Sequence, residues 1–511
     1  YEITSDYLFN MRSWFFQREI PVEYSEYQVN LPSFFNYLAR FNGNFELAVN
    51  EEKKSVENFR VTQKVSNYGH MIDGQSFNVR ANSTQYKWVA KDLPALKEEP
   101  FTDNIRNSMG MVFFEMVSEQ WPDREPINYT TTWEDVSKNM LKREDFGEFL
   151  KEAEFSSRNF IPDRELKTPD EIMAWALETI NSQIKWNGDA SRYADQSPDK
   201  LIKQGVGNSA EINLMLVALL RNLNLKAYPV VLSTINHGAL FSDSPTLSQW
   251  NYVVAQVRIP GRQPILLDAT TLKPITGYLP PRAINGRGRV IDHSINQWVD
   301  LESKISFNEN KVYDLELDEQ GNLAGTATIR WEDYGAYLKL QDLAQEEKDE
   351  FAKEISSDLG VSLSEVELQT FEDDTLALIM QARVNATGFA QVIGNEMLLP
   401  GLLYETMEEN PLKTDQRQFP VMLPYKLNSN ITFNIKLPDG FSAVHLPERK
   451  ASSFHRFAHD FAFEQTDQVI TITATTRIGN RTVNPNYYAG FKAYMDKYVM
   501  DTSDNIILKT D

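Results

Sequence analysis

Apolar and polar residues alternate over the first part of the chain, which predicts strands. "WFFQREIPVEYSEYQVNLP" and "YKWVAKDLP" mix aromatic and β-branched residues at every second position, and "SMGMVFFEMVS" is an apolar run suited to a buried strand. "WPDREPINYTT", Trp121 to Thr131, is polar, carries prolines and has no period, so it reads as a linker. From Trp133 the period lengthens towards helix. In "TPDEIMAWALETINSQIKW", Thr168 is an N-cap, Pro169 takes the first helical position, and Ile172, Trp175, Ala176 and Ile180 share one face. "WNYVVAQVRIPGRQPILLDAT" predicts two strands around a turn at Pro260 to Gln263. Strand signals resume in "KVYDLELDEQGNLAGTATIRW", a hairpin about Gln320 and Gly321, then give way to a charged helix near Gln345 to Leu359. They return in "ITFNIKLPDGFSAVHLP" and "VITITATTRI". The pattern divides a multidomain α+β chain into a β-rich N-terminal domain (1–128), an α+β core (129–302) and a β-rich C-terminal domain (303–511).

A length of 511 residues agrees with more than one core. The net charge, 51 − 72 = −21, would repel phosphate backbones and anionic headgroups, so nucleic acid is a poor partner. The chain has no cysteine, which excludes disulfides, thiolate nucleophiles and zinc thiolate sites. No run of about 18 apolar residues predicts a spanning helix, so membrane insertion is not expected. The start at Tyr1 suggests a mature or trimmed form whose first domain is incomplete.

The densest chemical signal is "QGVGNSAEINLMLVALLRNLNLKAYPVVL", residues 204 to 232. Asn208 and Glu211 form a capping box, and the helix that follows is apolar nearly all round, so it should be buried. Ser209 then stands at the start of a central helix, where orphan N–H groups and the dipole favour an anion or a nucleophile. Serine is also simply comfortable at a helix start.

A glycine turn, a helix opening at a small nucleophile, and strands ending in "LLDAT" together resemble the transglutaminase-like core, a papain-like fold. The resemblance extends to "FFQREIPVEYSEYQVNLP", "ENPLKTDQRQFPVMLPYKL" and "IKLPDGF", which look like uncharacterised β domains flanking such cores in large bacterial envelope proteins. It therefore implies a periplasmic or extracellular setting. Carried over by position, the family's Cys falls on Ser209, its His on Asn251 and its Asp on Asp268. Asn251 cannot take a proton near neutral pH, and a serine without a base is a weak nucleophile. The resemblance thus implies a pseudoenzyme that binds or scaffolds a peptide, protein or glycan ligand and needs no cofactor.

The competing reading is a serine-dependent amide hydrolase, with His237 in "STINHGALFSDSP" as the base and Asp268 assisting. Trp186, Tyr228, Trp250 and Tyr252 could line a ligand cleft or belong to the core. His455 and His459 have the i, i+4 spacing of ligands on a helix face, without the glutamate of a metalloprotease motif; no metal site is assigned. Arg282, Arg287 and Arg289 in "PRAINGRGRV" form a small basic loop that reads as a solvated turn or else as an anion contact.

Overall fold

The N-terminal alternation builds two sheets in the computed structural model, which describes residues 11–510 except 44, 68–69, 122–123, 241–244, 303–305, 373–374, 404 and 406. Val22–Pro32, His70–Leu93 and Val49–Asn67 form one antiparallel sheet, with His70–Leu93 at its centre. In the other, Met111–Glu119 lies between Trp14–Phe15 and Phe35–Asn42. Phe16, Trp88, Ala90, Leu93, Val112 and Phe114 form one buried cluster between them. The stretch from Trp121 to Thr131 is not a free linker. Ile127 and Asn128 pair with Glu119 and Ser118, because extended backbone there finds the open edge of the Met111–Glu119 strand; Pro122 and Asp123 lie outside the described residues.

Five helices follow: α1 (Trp133–Leu141), α2 (Phe149–Ser156), α3 (Pro169–Gln183), α4 (Pro198–Gln204) and α5 (Ser209–Asn222). The start of α3 is as read, with Thr168 capping and Pro169 inside, but its core face is Met173, Ala176, Leu177 and Ile180, with Ile172 and Trp175 at the flank. Every residue of α5 from Ser209 to Leu220 is buried. Each large apolar side chain there contributes roughly 1.5–3 kcal/mol by leaving water.

A five-stranded antiparallel sheet lies against α5, in the order Ile265–Leu267, Tyr252–Arg258, Lys226–Leu232, Arg287–Val290, Trp298–Asp300. Alternation sends its two faces to different neighbours. Val231, Val253, Ala255, Val257 and Leu267 pack with the helices, whereas Val230, Leu232, Tyr252 and Val254 join a cluster that continues into the C-terminal strands.

The C-terminal region centres on an eight-stranded sheet, ordered Ser362–Phe371, Ala377–Ala386, Leu323–Asp333, Ser306–Leu317, Lys426–Lys436, Val469–Ile478, Phe457–Thr466, Lys450–Phe454. Ser306–Leu317 and Lys426–Lys436 are parallel neighbours, so a long connection separates the halves. That connection holds α6 (Tyr334–Gln345) and α7 (Lys348–Leu359); the sequence reading found only the second. A last helix, α8 (Tyr488–Thr502), lies beside the Lys450–Phe454 edge. Among the described residues no helix is long and apolar enough to cross a membrane.

Candidate functional site

The capping box at α5 forms as its residue types dictate. Asn208 Oδ1 accepts from the Glu211 N–H at 3.0 Å, and Glu211 Oε2 accepts from the Asn208 N–H at 2.9 Å. Glu211 also reaches backward: its Oε1 accepts from the Asp195 and Gln196 N–H groups at 2.8 and 3.0 Å. Asn208 Nδ2 donates to the Tyr193 carbonyl at 2.9 Å. The loop from Asn187 to Gln196 is thereby drawn over the start of α5. Gly207 allows this close approach, since a Cβ there would stand 2.4 Å from Leu201 and 2.7 Å from Glu211.

Ser209 lies beneath that loop with no exposed surface. Its Oγ donates to the Ser191 carbonyl and accepts from the Ser191 N–H, both at 2.9 Å. Its own N–H donates to the Asp189 carbonyl at 3.1 Å. The same loop reaches the segment before the Tyr252–Arg258 strand, where Arg192 Nη1 donates to the Trp250 carbonyl.

Asn251 turns to neither Ser209 nor Asp268. Its Oδ1 accepts from the Thr234 N–H and its Nδ2 donates to Thr234 Oγ1, both at 2.9 Å, locking two strand ends together. Asp268, almost fully buried, accepts through Oδ1 from Asn213 Nδ2 at 3.0 Å, the Thr270 N–H at 2.9 Å and Thr270 Oγ1 at 2.7 Å. Its Oδ2 accepts from the Tyr252 hydroxyl at 2.9 Å. Asn213 completes the knot by accepting from the Ala269 N–H and donating to the Val253 carbonyl. The group that Asp268 orients is therefore a phenol. Burial, and then Asp268 itself, push that phenol well above its ordinary range, so it is not a proton acceptor.

His237 lies apart. Its ring hydrogen-bonds the Ser248 backbone, and burial followed by the Arg192 and Arg106 guanidiniums holds it below the usual imidazole range. Its loop is pinned from the N-terminal region. Asn104 Nδ2 donates to the Ile235 and Asn236 carbonyls at 2.8 and 2.9 Å, and the buried Glu115 accepts from Thr246 Oγ1, the Leu247 N–H and Ser248 Oγ. Residues 241–244 of this loop lie outside the described residues. Sequence reading missed these anchors. Its one available signal was Glu115, a carboxylate inside an apolar strand that had to find donors somewhere.

Of the four aromatic residues considered for a cleft, Trp250 and Tyr252 are wholly buried, Tyr252 as the first residue of a strand with neighbours on both sides and Trp250 just before it. Trp250 stacks on Trp133 at 5.8 Å. Tyr228 is half-buried with Arg258 over its ring, and Trp186 lines a cavity with Arg282, whose guanidinium sits 4.1 Å from its ring.

The basic loop is not uniformly solvated. Arg287 is exposed, but Arg289 pairs in register with Val231 and Trp298 and is buried between the Trp133 and Trp298 rings, 5.2 and 5.3 Å away. His455 and His459 share no helix. His455 sits at the Phe454–Phe457 turn with φ of 52° and packs on Tyr487, while His459 is on the following strand and bonds Asp501.

A family of domains of unknown function that includes a solved structure, DUF3858, matches residues 395–508. No curated protein matches the chain. A crystal structure from Parabacteroides distasonis ATCC 8503, provisionally named a protease, aligns with 97% of this chain and 74% of its own, with TM-score 0.53 and 10% identity. Another from Cytophaga hutchinsonii, provisionally named a cysteine protease, aligns with 50% of this chain and 81% of its own, with TM-score 0.19 and 12% identity. At 10% identity the first likeness extends to the fold, which this α+β chain shares with the Parabacteroides structure over nearly its whole length.

Proposed function

We propose that the chain is a catalytically inert, protease-like binding protein of the bacterial envelope, built as a transglutaminase-like core between two β-rich regions. The observation that carries this reading is the closed hydrogen-bond pair between Ser209 Oγ and the Ser191 backbone, which leaves the hydroxyl neither exposed nor in contact with a base. The family's base position is Asn251, committed to Thr234, and its acid Asp268 is committed to Tyr252. A unit stripped of both base and access is expected to lose many orders of magnitude in rate. What the scaffold retains is a rigid core on which a ligand can dock.

A fluorophosphonate probe, which labels activated serines, is expected to give no adduct at Ser209 above the level seen in Ser209→Ala. Stoichiometric labelling that disappears in that variant would sink the inert reading. Ser209→Ala should cost about 1–2 kcal/mol of stability, since it strands the Ser191 N–H and carbonyl, as read from urea denaturation. The double variant Ser209→Cys with Asn251→His should gain no amidase activity on peptide amides, because position 251 faces Thr234.

A further inference from the structure

The buried chain of hydrogen bonds from Asn213 through Asp268, Tyr252 and Thr270 ends on Arg282. Nε of Arg282 donates to the Tyr252 hydroxyl at 3.1 Å and Nη2 to Thr270 Oγ1 at 2.5 Å. Among the described residues its remaining nitrogen, Nη1, has no hydrogen bond and the guanidinium has no ion pair. Arg282 lines a cavity of about 480 Å³ between the core and α6, a size typical of small-ligand sites, which run to roughly 300–1,000 Å³. Behind the cavity wall the Tyr337 hydroxyl and Thr271 Oγ1 are buried and interact with each other, so the polar groups a ligand meets are those of Arg282 and Lys185.

The charge balance favours an anion. Lys185 and Arg282 both line the cavity, against the trend of a chain with net charge −21. The acid on the wall, Asp342, pairs with Lys339 at 3.4 Å. Asp268 is set back behind Tyr252 and Thr270 and compensates part of the Arg282 charge, so Lys185 supplies the surplus positive charge of the wall. Burial drives the Tyr337 phenol far up, so it adds no charge to the wall. Trp186, Pro281 and the exposed Leu272 add apolar wall.

We propose that this cavity binds a single carboxylate carried on an apolar body, with Arg282 Nη1 and the Lys185 ammonium as donors and Trp186, Pro281 and Leu272 as the apolar wall. The proposal rests on the reading of the chain as a binding protein and names the chemistry of its ligand. A free small acid and a peptide carboxyl terminus present the same group, and guanidinium is the side chain best matched to it.

The test is isothermal titration of the full chain with N-acetyl-leucine against N-acetyl-leucinamide, and with a short leucine-terminated peptide against its amide. Each acid that fits should bind at least about tenfold more tightly than its amide, the loss expected when a charge-assisted contact is removed. Tighter binding of the peptide acid would identify a chain terminus, and of N-acetyl-leucine a free acid. Lys185→Gln changes only an exposed side chain of the wall, so it should weaken the acid several-fold while leaving the amide and the thermal midpoint unchanged. Arg282→Gln should erase the acid–amide difference, and Leu272→Trp should block all binding by filling the rim. Equal affinities for acid and amide, or no binding of either tighter than about 10 mM, would overturn the site. That result leaves the inert reading of Ser209 intact, whereas a serine-probe adduct would overturn that reading without moving the acid–amide difference.

Discussion

Asp268→Ala is expected to cost about 3–5 kcal/mol of folding stability, the range for removing one partner from a buried charged network. Four hydrogen bonds converge on this carboxylate, and the groups that lose them cannot turn to water. The Asn213 amide, the Tyr252 hydroxyl and Thr270 would be left facing a void, and Arg282 would lose the nearest compensating charge. Asp268→Asn is a gentler change. Its Oδ1 can keep the bonds from Asn213 and Thr270, and its Nδ2 can donate to the Tyr252 hydroxyl, which then donates on to Thr270 Oγ1. That variant should cost about 1–2 kcal/mol, mainly from the loss of charge opposite Arg282. Urea denaturation followed by tryptophan fluorescence checks both. A loss below about 1 kcal/mol for Asp268→Ala would mean that the network is not the structural knot described here.

That knot also marks where sequence reading stops. The capping box at Asn208 and Glu211, the buried character of α5, the Thr168 start of α3 and the alternating C-terminal strands depend on residues close in sequence, and these were legible. The partner of Ser209 is Ser191, and the partners of Glu115 lie more than a hundred residues downstream; no local period encodes either contact. At the Asn251–Tyr252 pair the difficulty is the pleat. Adjacent strand residues point to opposite faces, so a positional carry-over that selects Asn251 misses that Tyr252 is the residue turned towards Asp268. His455 and His459 show the reverse ambiguity. A spacing of four suits a helix face, but a hairpin turn at His455 sends the rings to different neighbours. The helix α6 was missed because it begins directly where a long strand ends, with Asp333 at φ of 51° making the turn and no side-chain cap to announce it. This omission also hid the cavity, since α6 supplies Tyr337 to its wall.

His459 and Asp501 form another deeply buried polar unit, and it fastens α8 to the Phe457–Thr466 strand. His459 Nε2 donates to Asp501 Oδ2 at 2.8 Å, the Tyr494 hydroxyl lies 3.3 Å from Nδ1, and Lys497 Nζ reaches Oδ1 and Oδ2 of Asp501 at 3.1 and 2.9 Å. Asp501→Ala should cost about 3 kcal/mol, the lower end of the range for breaking a buried pair, because Lys497 is half-exposed and can return to water. The pH dependence follows from the carboxylate. Burial by itself would raise the Asp501 carboxyl; the Lys497 ammonium and the His459 ring outweigh it and hold it below its ordinary value of 3.8. A depressed carboxyl contributes stability that is present above the unfolded-state pKa and is lost as pH falls through the lower folded-state value. The stability gap between wild type and Asp501→Ala should therefore hold steady from pH 7 to about pH 5 and narrow below about pH 4. Urea denaturation at a series of pH values measures that gap directly. A gap that widens in acid would mean that Asp501 is protonated in the folded protein, and the ion pair with Lys497 would no longer account for how α8 is held.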